Sequence, residues 1–354
     1  MNTQGVKYIG SKSSLVPYII QVIEKHISSA KTALDVFTGT TRVAQALRTK
    51  GLHVTTSDLS WASEAYSGAY IESPQTNANL QEKINQLNAL PAKEDWLTKY
   101  YCDAKGEGNS IIRVWQPKNG KRADAIRNKI EEWHYNGELY DWEYKTLITS
   151  LILALDRVDN TVGVQQAYLK DWCNRSQHDL KLELPTIPSG PKGRHIRGDC
   201  LQINYPSADI AYLDPPYSSH SYATYYHIWD SITRWDKPEV GLKTNRRLDR
   251  VSGSESYDAS MSSQWNSKKT ALGAFDQLIQ RLPVKYVLIS YNDESIVSIE
   301  DLQKLFKKYP KVIIEEIDYK RNIMCQIGNA AKDSSTEKEF KTMNKEYIFL
   351  IQKS

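Results

Sequence analysis

Four consecutive residues, Asp214, Pro215, Pro216 and Tyr217, combine a carboxylate, two rigid prolines and an aromatic face. They follow Ala208-Asp209-Ile210-Ala211-Tyr212-Leu213, a mostly apolar run that reads as a strand buried in a parallel sheet. Neither proline can donate to a ladder, so the strand must end there. The two rings also fix the backbone, which aims the carbonyl between them in a set direction. Open α/β sheets bind ligands at the carboxyl ends of their strands, where this motif falls. Two acceptors beside an aromatic ring suit methyl transfer to an exocyclic amine. The lone pair of such a nitrogen is delocalised into the base ring, which makes it a poor nucleophile. Acceptors for its N–H bonds return charge to nitrogen, while the aromatic face stacks on the base.

An Asp-Pro turn after a strand is common, so the neighbouring stretches decide how much weight the motif carries. Ala33 to Phe37 reads as a short strand, Thr38 to Thr41 as a tight turn around Gly39, and Val43, Ala44 and Leu47 begin an amphipathic helix. This is the nucleoside-binding opening of a Rossmann-like fold. Dinucleotide turns carry more glycines, which disfavours a nicotinamide cofactor. His53 to Thr56 forms a second strand ending at Asp58, the expected place for an acid on ribose hydroxyls, although the same residue could cap a helix. Nearer the start, Lys7 to Lys12 turns at Gly10 into a helix bearing Leu15, Ile19, Ile20, Ile23 and Ile27 at helical spacing. Backbone N–H groups at such a turn can hold a small polar or anionic ligand.

The 354 residues leave room for one large α/β domain and a smaller inserted one. Residues 60–185 differ from their flanks: they are polar, poor in β runs and rich in helical patterns such as Leu139 to Leu155. Basic and aromatic residues interleave there in Arg113, Trp115, Lys118, Lys121 and Arg122. A second basic stretch, Lys243, Arg246, Arg247 and Arg250, lies in a long loop region. Such cations suit phosphates. The net charge is only +4, so a nucleic-acid surface would be a local patch. The 22 Tyr and 9 Trp against 5 Phe favour aromatic residues with a polar edge, suited to wet interfaces. Cys102, Cys173, Cys200 and Cys325 are scattered and form no metal-ligand pair, so no metal is expected. The start shows no secretory leader and no apolar stretch spans a bilayer, which points to the cytoplasm with reduced thiols.

Lys7 to Lys12, Asp35 to Thr41, Asp58 and Asp214 to Tyr217 occur in the order found in the Dam-like, alpha-group DNA adenine-N6 methyltransferases. Leu155 to Thr161, Tyr168 to Lys170, Tyr222 to His227 and Ser290 to Asn292 are similar to segments of the small methylases of type II restriction-modification systems. The resemblance covers nearly the whole chain. It implies S-adenosyl-L-methionine as methyl donor, with Tyr8, Gly10 and Lys12 at its methionine end and Asp35, Phe37 and Gly39 around its amino acid and ribose. Asp58 would take the ribose hydroxyls, and Asp199 with Cys200 would flank the adenine. Asp214 and the Pro215 carbonyl would bind the target amine, with Tyr217 stacked on the flipped base and Pro216 completing the motif. Thr41 departs from the pattern, which carries a second glycine there.

The expected fold is therefore α/β: a Rossmann-like class I methyltransferase sheet, mostly parallel with an antiparallel last strand. Residues 1–59 and 186–354 would form the catalytic domain, and residues 60–185 an inserted, mostly helical target-recognition domain. The expected partner is double-stranded DNA, in a prokaryotic cell or encoded by a phage, with room for a companion restriction endonuclease acting on the same site. Asp at position 214 favours adenine over cytosine-N4 or glutamine-amide targets. Methylation of an RNA adenine, and a catalytically silent DNA-binding subunit, stay open as alternatives.

Overall fold

The computed structural model describes residues 2–8, 10–74, 78–105, 111–164, 167–219, 221–241, 245–251, 254–256, 263–320 and 343–353. Lys243 and Cys325 lie outside the described residues. The chain is built on a mixed, mostly parallel central sheet of seven strands, together with helices. It divides into two compact units, Met1–Ile203 with Ser221–Ser262, and Asn204–His220 with Ser263–Ser354.

The first unit opens with α1 (Val16–His26), β1 (Thr32–Asp35), α2 (Arg42–Thr49), β2 (His53–Asp58) and α3 (Trp61–Ser67). β1 pairs in parallel with β2, from Thr32 opposite His53 to Asp35 opposite Thr56. β1 stops two residues earlier than its apolar run suggests. Thr38 closes the strand end by donating its N–H to Ser57 O at 3.0 Å and its hydroxyl to Asp35 at 2.8 Å, which turns the backbone off the ladder.

The expected helical stretch consists of α3, α4 (Ala78–Ala89), α5 (Trp96–Tyr101), α6 (Pro117–Tyr135) and α7 (Asp141–Arg157), with a hairpin of β3 (Cys102–Lys105) and β4 (Ile111–Arg113). α7 packs against α3, and α6 packs against α5 and α7. Asp124 of α6 caps α5 from outside. Its carboxylate accepts the N–H groups of Leu97 and Thr98 at 2.9 Å each and the Thr98 hydroxyl at 2.7 Å. Those N–H groups have no partner inside their own helix, so a buried carboxylate is stabilised where it satisfies them. The chain then forms β5 (Arg194–Arg197), parallel to β2 from Thr55 opposite Arg194 to Asp58 opposite Arg197.

α3 runs on into one π-helical turn, Gly68–Glu72. The fully buried Arg48 donates to the carbonyls of Tyr70 at 2.7 Å, Ile71 at 3.2 Å and Ser73 at 2.9 Å, which satisfies the end of that turn. Glu72 accepts the His195 N–H at 2.8 Å and lies 3.4 Å from the Lys145 ammonium.

The second unit carries β6 (Ala208–Leu213) and resumes with α10 (Lys268–Arg281), β9 (Val284–Asn292), α11 (Ile299–Phe306), β10 (Lys311–Lys320) and β11 (Met343–Gln352). The strand labels β7 (Val240–Gly241) and β8 (Arg246–Arg247) belong to a short antiparallel pair in the first unit, as do the helices α8 (Tyr222–Tyr225) and α9 (His227–Arg234). β6 is parallel to β9, with Leu213 opposite Ile289. β11, the last strand, is antiparallel to both β9 and β10, as expected. Ala211 and Leu213 of β6 lie opposite Val287 and Ile289 of β9 in the ladder, and these four, with Ile210 and Leu288, are at most 1% exposed. Each large apolar side chain buried there contributes about 1.5–3 kcal/mol. No helix among the described residues is long and apolar enough to cross a membrane.

Candidate active site

In the first unit the carboxyl ends of β1, β2 and β5 bring together most of the residues expected around a nucleoside. Gly39 takes φ +48°, a backbone region open to glycine and strained for residues with a Cβ. Its N–H donates to one Asp58 carboxylate oxygen at 2.9 Å, and the Ser60 N–H donates to the other at 2.9 Å. Burial pushes the Asp58 pKa up, and these N–H groups pull against it. Asp58 is thus not the N-cap of α3; Ser60 is, accepting the N–H groups of Ala62 and Ser63. The Asp58 carbonyl takes the Gly198 N–H at 2.9 Å, which brings Asp199 and Cys200 beside the same strand end. Asp199 is exposed and Cys200 buried. Asp35 is buried and held by the Thr38 hydroxyl, and Phe37 is half-buried in the turn.

Thr41, at the missing glycine, adopts φ +61° and is fully buried. A β-branched residue in this left-handed region costs about 1–2 kcal/mol. Its hydroxyl offsets part of that by donating to Thr40 O at 2.7 Å and accepting from Gln45 Nε2 at 3.0 Å.

The N-terminal glycine turn lies against this one. The Tyr8 ring is the nearest group to a Cβ placed on Gly39, at 3.7 Å, and it stacks on Tyr226 with centroids 4.3 Å apart. Gly10 takes φ +79°, and the buried Lys12 points its ammonium back at the Gly10 carbonyl, 3.4 Å away. Lys7, beside Tyr8, donates its N–H to Asp156 at 3.2 Å and its ammonium to Asp159 at 3.0 Å. Burial at the end of α7 pushes the Asp156 carboxyl up to about 6, against the pull of Lys7. Because the folded chain holds this proton more tightly than the unfolded one, the stability it contributes is present at low pH. That stability is lost as pH rises from about 4 toward about 6. Unfolding free energies of Asp156→Asn should therefore fall less steeply across that window than those of the parent. Parallel curves would remove Asp156 as their source.

In the second unit, Asp214 follows β6 directly, with Pro215 buried and Pro216 and Tyr217 half-buried. The Tyr217 hydroxyl donates to Asp214, and the Ser290 hydroxyl of β9 lies 3.5 Å from the same oxygen. Ser290 in turn is 2.7 Å from the Tyr212 hydroxyl. Tyr217 is further fixed by its carbonyl, which accepts the Ile296 N–H at 3.0 Å. Behind its ring runs an aromatic ladder. Tyr291 lies at 5.6 Å from Tyr217, Phe275 at 5.4 Å from Tyr291, and Trp265 at 5.0 Å from Phe275. The motif therefore offers a positioned carboxylate and a ring whose orientation is set by packing. Ser290 and Tyr291 stood in a stretch singled out by resemblance alone; Phe275 and Trp265 gave no signal, because aromatic residues at helical spacing usually mark core.

The basic residues separate into two kinds. Arg113, Lys118, Lys121 and Arg122 are partly exposed on the first unit. Lys118 pairs with Asp179 at 2.6 Å and Lys121 with Glu94 at 3.1 Å, while Arg122 donates to Asn88 O at 2.7 Å. Arg113 pairs with Asp103 at 3.0 Å. Arg246 is half-buried, whereas Arg247 and Arg250 are buried, 3% and 8% exposed. The Arg247 guanidinium is bound by Asp236 at 2.7 Å, Asp249 at 2.7 Å and the Ser231 hydroxyl at 3.0 Å. Among the described residues no group of three or more His, Cys, Asp or Glu could hold a metal ion.

Comparison with known proteins fits this geometry. The chain is 29% identical over 325 residues to the type II methyltransferase M.NlaIII of Neisseria lactamica, covering 89% of this chain and 92% of that protein. It is 31% identical over 332 residues to the modification methylase StsI of Streptococcus sanguinis, of which it spans only 48%. Over 354 residues it is 26% identical to the type II methyltransferase M.CviAII of Paramecium bursaria Chlorella virus 1, covering 98% of both. Residues 8–305 match the family model of the D12 class N6 adenine-specific DNA methyltransferases. With a glycine turn and strand-end acid in one unit and an intact Asp214-to-Tyr217 motif in the other, the chain belongs to that family and is an adenine-specific DNA methyltransferase.

Proposed function

We propose that this enzyme methylates the N6 amine of an adenine flipped out of duplex DNA, as the modification half of a type II restriction-modification system in the cytoplasm. The observation that carries the reading is the Asp214 carboxylate at the end of β6, positioned by the Tyr217 and Ser290 hydroxyls. The strand-end residues fit S-adenosyl-L-methionine. Gly39 keeps the turn narrow, and Asp58 presents a carboxylate fixed by two backbone N–H groups, suited to vicinal ribose hydroxyls. Tyr8, Gly10 and Lys12 would hold the methionine end, Asp35 and Phe37 the region beside it, and Asp199 with Cys200 the adenine. When bound, this group supplies the electrophilic methyl.

The chain's own residues do the remaining work. Asp214 and the Pro215 carbonyl accept the two N–H bonds of the target amine and so concentrate charge on nitrogen as it attacks. Tyr217 stacks on the extruded base, and its ring keeps one orientation because Tyr291 packs against it. We assign target recognition to residues 60–185, whose helices and hairpin carry the partly exposed cations. A companion endonuclease cutting the same sequence is part of this proposal. Transfer of a labelled methyl group to duplex DNA, followed by long-read detection of N6-methyladenine and its sequence context, tests the reading. Label on RNA only, or on no nucleic acid, would end it.

For phosphate contacts we retain the exposed set, Arg113, Lys118, Lys121 and Arg122, with Arg246. The internal pairing of Arg247 leaves its guanidinium little to offer a phosphate. Each phosphate contact releases counterions and contributes about 0.9 to the slope of log affinity against log salt. Neutralising Lys118, Lys121 and Arg122 together should flatten that slope by roughly two to three. Glutamine at Arg247 should lower stability instead and leave the slope unchanged. A slope insensitive to the exposed cluster would return these residues to ordinary solvated surface.

A further inference from the structure

A buried carboxylate outside the residues already assigned is joined to the cofactor turn by an unbroken set of hydrogen bonds. Asp230 lies on α9 and is 4% exposed. One of its oxygens accepts the Ser60 hydroxyl at 2.7 Å and the Ala62 N–H at 3.0 Å. Ser60, with its hydroxyl proton committed to Asp230, uses the oxygen lone pairs to cap α3, taking the N–H groups of Ala62 at 3.1 Å and Ser63 at 3.3 Å. Its own N–H points the other way, to Asp58 at 2.9 Å, and the second Asp58 oxygen holds the Gly39 N–H. The order of contacts is therefore α9, Ser60, Asp58 and the glycine turn. A serine hydroxyl alone can rotate among three wells. Tied to Asp230 it has one setting, and that setting fixes the Ser60 peptide whose N–H orients Asp58.

We propose that Asp230 is a positioning residue for cofactor binding, acting through Ser60 to set the carboxylate of Asp58. The proposal rests on the reading that Asp58 takes the ribose hydroxyls. Asp230 needs no contact with the cofactor for this. Burial pushes the Asp230 pKa up, and the Ala62 N–H, the Ser60 hydroxyl and the charges of Arg250 and Arg247 pull against it. No spacing rule would have found the pairing, since Ser60 and Asp230 are 170 residues apart.

The test is a thermodynamic cycle on the full chain, reading S-adenosylmethionine affinity by titration calorimetry without DNA. The variants are Asp58→Ala, Asp230→Ala, the double variant and Asp230→Asn. Removing a hydrogen bond to a charged group should raise Kd about tenfold or more for Asp230→Ala. In the Asp58→Ala background the same change should add less than about twofold, because its effect passes through the missing carboxylate. Asp230→Asn keeps an oxygen for Ser60 and Ala62 and should restore Kd to within about threefold of the parent. In steady-state assays, KM for the cofactor should rise while kcat at saturation stays within about threefold. If Asp230→Ala does not fold, Ser60→Ala cuts the same link and enters the cycle in its place. Unchanged affinity in Asp58→Ala would overturn the ribose reading and this proposal together. Weakened affinity in Asp58→Ala with a normal Kd in Asp230→Ala, or with multiplying effects in the double variant, would overturn the Asp230 proposal alone.

Discussion

Asp214→Ala should lower the single-turnover rate of methyl transfer by about 10²–10³ while leaving cofactor binding largely intact. The carboxylate matters most as nitrogen attacks and its positive charge grows, so its loss falls on the transition state more than on the ground state. The fold should survive, because Asp214 lies beyond the last ladder pair of β6. Where two acceptors act as a unit the loss can exceed that of one alone. Tyr217 separates ring from hydroxyl in the same assay. Tyr217→Phe keeps the face packed on Tyr291 and leaves Ser290 beside Asp214, so it should be mild beside Tyr217→Ala, which also loses base stacking of roughly 1–3 kcal/mol. Fluorescence of 2-aminopurine at the target position reports whether flipping fails along with chemistry. Parental single-turnover rates in Asp214→Ala would remove this residue, and the mechanism built on it.

The second large effect is on stability. Arg127 of α6 is fully buried and donates to Ile232 O at 2.6 Å, Thr233 O at 3.0 Å, the Tyr144 hydroxyl at 2.8 Å and Glu131 at 2.7 Å. Ile232 and Thr233 are in the last turn of α9, where carbonyls have no partner inside the helix and a cation meets the negative end of the helix dipole. The guanidinium also lies 5.3 Å from the Trp235 ring centroid. Arg127→Ala should cost about 3–5 kcal/mol, because it strands the buried Ile232 and Thr233 carbonyls and removes the cation beside Glu131. Urea unfolding should show a lower midpoint at unchanged slope. Arg127→Lys should recover little, since an ammonium cannot span four acceptors in one plane. A loss within about 0.5 kcal/mol would place Arg127 among ordinary surface charges.

These two residues also mark how far the sequence could be read. Asp214 was legible because its chemistry is local: four adjacent residues at the end of an apolar run define strand, stop and acceptor together. The glycine turn and Asp58 were legible for the same reason, since a strand, a tight turn and an acid some twenty residues on form a local pattern. The antiparallel last strand is written in two apolar runs, Val312 to Ile317 and Tyr347 to Ile351, that read as a closing hairpin. Arg127, Arg247 and Arg250 were opaque. A guanidinium in a polar stretch reads alike whether it meets a phosphate or an internal carboxylate, and the two carbonyls that Arg127 binds are 105 and 106 residues away. Thr41 fell between these cases. Its Cβ was visible as a departure from the pattern, but its left-handed backbone, and the hydroxyl bonds that offset the strain, depend on the folded turn.

The π turn at Gly68–Glu72 makes chain length, rather than residue identity, the sensitive quantity in that segment. A π turn carries one residue more than an α turn before its hydrogen bond closes, so it behaves as a single-residue insertion absorbed without breaking the helix. Everything beyond it is rotated in phase by about 100° relative to an uninterrupted α-helix continuing α3. Glu72 meets the His195 N–H and the Lys145 ammonium because of that phase. Deleting one residue from the turn would restore regular α geometry and improve the helix as a helix, yet swing Glu72 away from both partners. The carbonyls that Arg48 now binds would move with the shortened turn and leave the buried guanidinium without well-placed acceptors. A locally better helix would thus be a globally worse protein, which is reason enough for an apparent irregularity to persist.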